Sequence, residues 1–81
     1  MNKSTHTIRQ CTVSTGDTIK LWRQTTYQSS GLHTDFFVDV YKEGGLWLRQ
    51  NYDSINEGLD HYYSLVEAAT RLGYSVARNC G

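Results

Sequence analysis

The chain has 81 residues, with eight basic and eight acidic side chains, ten aromatics and no proline. That length predicts one small domain over residues 1–81, burying only about 60–65% of the surface its unfolded chain exposes. Zero formal charge argues against the basic excess on which nucleic-acid binders rely. No apolar run approaches the ~18 residues of a membrane span, and the opening MNKSTHTIRQ has no apolar signal core. A soluble, cytoplasmic protein is expected.

In chain order, residues 1–5 read as frayed. His6 to Ser14 alternates weakly and predicts an edge strand, and Thr15-Gly16-Asp17 a turn. Thr18 to Tyr27 (TIKLWRQTTY) alternates well and predicts a second strand, with Gln28 to Leu32 as a loop. Asp35 to Lys42 and Leu46 to Tyr52 predict a third and a fourth strand. Glu43-Gly44-Gly45 closes a hairpin between them, because glycine accepts the positive φ of tight hairpin turns.

The period then changes from two to 3.6. Ile55, Leu59, Tyr62, Val66 and Ala69 form one stripe of an amphipathic helix. Ser54 and Glu57 fit a capping box, with Asp53 adding negative charge at the positive end of the helix dipole. Gly73 followed by Tyr74 signals the helix end, and Tyr74 to Cys80 reads as an optional short strand or a packed tail. The expected fold is α+β and two-layered. An antiparallel meander of four to five strands carries one helix on one face, in the order β-β-β-β-α with an optional final β.

Aliphatic residues fall together in each strand, so Ile19, Leu21, Phe36, Val38, Val40, Leu46 and Leu48 should face the helix. The opposite face then holds Lys20, Trp22, Gln24, Phe37, Asp39, Tyr41, Trp47, Arg49 and Asn51. Four large aromatics of about 150–250 Å² each approach the area of one side of a standard protein interface. Trp, Tyr and Arg are also the residue types that dominate binding hot spots. Three readings are open for this face: cover by the chain's own ends, stacking with a twin, or a binding surface. Single-stranded bases stacking on the rings is the nucleic-acid variant of the last.

The outer helix face carries Asp53, Glu57, Asp60, Ser64 and Glu67 with no base until Arg71. The plain reading is a solvated face with a Glu67–Arg71 pair. The sharper one is an acidic ridge that docks on a basic surface, including the nucleic-acid channel of an enzyme. Charge is segregated along the chain: four bases and one acid lie among residues 1–34, seven acids and two bases among residues 35–67.

Nothing in the sequence marks a catalytic site, a metal site or a cofactor. His6, His33 and His61 are scattered, and Glu57 with His61 on one helix face is too few ligands for a metal. Gly44-Gly45 sits in a hairpin rather than before a helix, so it is no phosphate loop. Cys11 and Cys80 are too few for a disulfide framework or a zinc site, and reduced thiols in a reducing cytosol are expected; a bond between them requires neighbouring terminal strands. In size, and in its strands-then-helix plan with an acidic helix, the chain resembles in general shape the small accessory proteins of phages and mobile elements, anti-CRISPR and anti-restriction inhibitors among them. The acidic stripe and the aromatic patch lead to the expectation of a small non-catalytic inhibitor or regulator whose acidic helix face, or aromatic sheet face, occupies a protein partner's functional surface. The alternatives are a nucleic-acid-binding or regulatory module using the aromatic face, and a structural homodimer subunit.

Overall fold

The computed structural model describes residues 2–72. Four strands, β1 (Asn2–Thr12), β2 (Thr18–Gln28), β3 (Gly31–Lys42) and β4 (Gly45–Tyr52), form one antiparallel sheet in the order β1-β2-β3-β4. Helix α1 (Ile55–Arg71) packs on one face, against β2, β3 and β4. The fold is therefore the α+β meander that the periodicities predict. The predicted helix stop at Gly73 and the optional strand from Tyr74 to Cys80 lie outside the described residues.

Two strands, β1 and β3, start four residues earlier than expected. Residues 2–5, read as frayed, are paired with β2, from Asn2 opposite Tyr27 onwards. The predicted loop over Gln28 to Leu32 shrinks to Ser29-Ser30, with Gln28 opposite Gly31. The local sequence is polar and turn-like, but pairing satisfies backbone groups whatever the side chains, so the long β2–β3 hairpin zips past the apolar pattern. At the other end, Lys42 pairs with Gly45 around Glu43-Gly44. Both turn residues have positive φ, 53° and 80°, as the type I′ hairpin turn requires.

The core consists of Cys11, Val13, Ile19, Leu21, Val38, Val40 and Tyr62, with Leu48, Leu59, Leu65, Val66 and Ala69 packed around it. Cys11 is disulfide-bonded rather than the reduced thiol expected from composition; Cys80 lies outside the described residues. This removes the ground on which a reducing compartment was expected. Among the described residues no helix is long and apolar enough to cross a membrane. Ser54 caps α1 as predicted: its hydroxyl accepts from the Glu57 amide at 3.2 Å and donates to the Glu57 carboxylate at 3.1 Å.

One expected face assignment fails. Val40 is opposite Leu48, but Tyr41 is opposite Leu46, so a bulge leaves Trp47 without a partner across the strands. An extra residue in one strand exchanges the faces of the residues on its far side. Leu46, expected in the core, shares the outer face with Tyr41 and is 49% exposed. Trp47, expected on the outer face, instead lines a groove of about 180 Å³ with Val13, Ile19, Val40, Leu65 and Leu72.

The helix approaches the sheet most closely at Gly58, which is buried. A Cβ there would stand 2.9 Å from Leu21 Cδ1 and 3.8 Å from Phe36 Cβ. Leu21 is fully buried and has nowhere to retreat. An exposed helical glycine gains about 1 kcal/mol on replacement by alanine, but overpacking a core costs about 1–3 kcal/mol. Gly58→Ala is thus expected to lower the urea midpoint rather than raise it. Beside it, the buried Tyr62 hydroxyl has no hydrogen-bond partner among the described residues, so Tyr62→Phe should hold or raise the same midpoint.

Candidate functional site

The continuous β2–β3 register builds the face away from the helix. Trp22 is opposite Phe37, and Lys20 opposite Asp39; on β4, Arg49 is opposite Asp39. Antiparallel partners share a face, so Asp39 sits between Lys20 and Arg49, with Phe37 and Tyr41 two residues away on its own strand.

Asp39 is completely buried although it lies on the side that α1 leaves bare. Its Oδ2 accepts from Trp22 Nε1 at 2.8 Å, from the Tyr41 hydroxyl at 2.8 Å and from an Arg49 terminal nitrogen at 2.9 Å. Its Oδ1 accepts from Arg49 Nε at 2.9 Å. The Arg49 contact is thus bidentate, the strongest arrangement open to an arginine and a carboxylate. The guanidinium also lies 5.2 Å from the Trp22 ring centre and 5.6 Å from that of Phe37. Those two rings stack with centroids 4.6 Å apart and planes at 22°. Lys20 Nζ is 5.9 Å from the Trp22 ring centre.

These contacts account for aromatics on a face that no other element covers among the described residues. Burial alone pushes the Asp39 carboxyl up, but the hydrogen bonds from Arg49, Tyr41 and Trp22, and the Arg49 charge, together hold it below its ordinary value. For Tyr41, burial and the neighbouring carboxylate push the phenol up, so it stays a proton donor at neutral pH.

Five of the six predicted sheet-face residues, Trp22, Phe37, Asp39, Tyr41 and Arg49, therefore form one interlocked cluster. Trp47 does not belong to it. It lies at the groove, 65% exposed, with Lys42 Nζ 4.7 Å from its ring centre. Lys42 in turn reaches Asp17 at 3.7 Å. Sequence reasoning missed this separate cation–aromatic contact because the bulge that creates it has no local signature beyond the nearby glycines.

The acidic stripe lies on α1, across the sheet from the aromatic cluster, so the two candidate surfaces cannot act as one contact area. Asp53, Glu57, Asp60 and Glu67 are all exposed. Glu67 pairs with Arg71, and Glu57 is engaged with Ser54. His61 turns to the sheet, where its Nδ1 meets the Tyr52 hydroxyl at 2.8 Å, and burial lowers its pKa. It does not face a cluster with Glu57 and Asp60: among the described residues no group of three His, Cys, Asp or Glu is placed to hold a metal.

No protein-family model, curated protein or solved structure matches this chain.

The cluster sets a pH dependence. A carboxyl held below its unfolded value contributes stability above that value, and the contribution is lost as pH falls through the folded one. Wild-type melting temperature should therefore fall on acidification below about 3.9, the unfolded Asp value. Arg49→Ala leaves the buried carboxylate short of two hydrogen bonds and should cost roughly 2–3 kcal/mol at neutral pH. Burial then dominates at Asp39, its pKa moves up, and the deficit of the variant should narrow as pH falls. Thermal melts of both proteins across the acid range check the sign.

Proposed function

We propose that the protein is a small non-catalytic protein–protein interaction module that uses the bare sheet face, most concretely an inhibitor or regulator occupying a functional surface of its partner. The observation that carries the reading is the Asp39-centred cluster. It holds Trp22, Phe37, Tyr41 and Arg49 in fixed positions before any partner arrives, and rigid aromatic and arginine side chains lose little entropy on binding. Protein is favoured over nucleic acid because Trp22 and Phe37 stack on one another and lie under Arg49, leaving less open ring for a base. The cluster neutralises its own carboxylate, so Lys20 gives the face a modest positive charge suited to an acidic contact on the partner.

Phe37→Leu and Lys20→Gln spare the hydrogen bonds to Asp39 and set no like charge beside it, so they should leave the fold intact. A partner captured by the wild-type protein in its native host should be lost by both variants at near-unchanged melting temperature. Equal capture by wild type and variants would remove the sheet face from the reading.

A further inference from the structure

The helix covers only part of its sheet. Gly58, in the first turn of α1, lies against Leu21 and Phe36, and from there α1 runs toward the groove at Val13, Leu65 and Leu72. β4 ends at Tyr52, opposite Phe36. Beyond that level, Gln24–Gln28 of β2 and Gly31–Asp35 of β3 continue with β1 as a three-stranded arm, with Arg23, opposite Phe36, at its root. The molecule is accordingly long, 48 × 25 × 19 Å.

Among the described residues this arm lacks what a small sheet needs for stability of its own, a hydrophobic face or a helix packed on it. On its helix side the register places Arg23 beside His6, Thr25 beside Thr34 and Ser4, and Tyr27 beside Leu32. Tyr27 is 48% and Leu32 69% exposed. Among the described residues Arg23 forms no ion pair.

The arm and the helix are complementary in length and charge. Five residues of strand span about 17 Å, the length of roughly 11 residues of helix, which the 17-residue α1 more than covers. The bare surface is recessed by the thickness of one helix, about 10 Å. The exposed side of α1 offers Glu57 and Asp60, with Asp53 just ahead of the Ser54 cap; Asp53 and Asp60 have no partner among the described residues. The arm offers Arg23, His6 and the hydroxyls of Ser4, Thr25 and Thr34. Within one copy the two surfaces are not joined: among the described residues Arg23, level with Phe36 and Tyr52, makes no ion pair with Asp53, Glu57 or Asp60.

We propose that two copies interlock about a two-fold axis. The α1 of each lies on the bare arm of the other, with Asp53, Glu57 and Asp60 against Arg23 and His6, and Tyr27 and Leu32 buried at the contact. Both helices then occupy one layer between two sheets. A contact made of two different patches closes only if each copy supplies both, which the two-fold does. Zero net charge removes the long-range repulsion that would oppose it. The inference goes beyond the binding function above and uses other side chains. It leaves the Asp39 cluster outward on both sides of the dimer, so failure of either reading leaves the other standing.

Sedimentation equilibrium on the purified chain tests it. Wild type should have dimer mass at low salt and a dissociation constant that rises with salt. Arg23→Glu, and separately the pair Glu57→Arg and Asp60→Arg, place like charges together and should each raise that constant by about tenfold or more. An equimolar mixture of the two variants restores opposite charges at both contacts and should recover the dimer. A wild-type monomer at low salt overturns the proposal. So does a dimer that survives both reversals, or a mixture that stays monomeric. Should Arg23→Glu not fold, Leu32→Ser at the arm tip takes its place: dissociation supports the interlock, and unchanged mass overturns it.

Discussion

The sheet is organised around a carboxylate that water cannot reach. Asp39 lies in β3, with β2 on one side and β4 on the other, and no solvent compensates its charge. A buried ion left unpaired costs several kcal/mol, so its neighbours must supply protons and positive charge. Both flanking strands and the Asp39 strand itself do so, through Trp22, Arg49 and Tyr41. A one-residue slip of β2 or β4 would turn those donors to the helix side and strand the carboxylate. The cluster therefore acts as a register lock for three strands, and the same lock makes the aromatic surface rigid.

The helix side obeys a different constraint. Alternation in β2 and β3 supplies Ile19, Leu21, Val38 and Val40, and α1 reaches them by turning Gly58 inward. Spacing alone runs the helical stripe through Ile55. In the structure Ile55 is exposed, and Gly58 and Tyr62 are the buried positions. The displacement reflects contact distance. Leu21 requires a residue without a Cβ opposite it, so the helix rotates to present its glycine, a residue that counts as neither apolar nor polar in a periodicity argument.

Molecular shape comes from the mismatch between two lengths. The β2–β3 hairpin is longer than the helix and fourth strand that pack beside it. A thin arm results, with polar residues on both faces and an apolar pair at its tip. The segregation of bases toward residues 1–34 and acids toward residues 35–67 is visible in the linear chain, but its meaning depends on which faces those residues occupy. In space the basic block is split: Lys20 lies on the outer face beside Asp39, and Arg23 on the helix side opposite Phe36.

The amino-acid order alone determined the element sequence, the capped helix, the tight Glu43-Gly44 turn and most of the core, because period, capping and turn chemistry act over a few residues. It also placed Trp22, Phe37, Asp39, Tyr41 and Arg49 on one face. Their function as a single hydrogen-bonded unit was not legible, since nothing local says that a strand aspartate will be buried. Tertiary structure alone decided the β4 bulge that moves Trp47 to the helix side, the pairing of residues 2–5, and the length by which the arm outruns the helix. Each of these depends on which backbone groups find partners across strands, and that choice is made between segments distant in sequence.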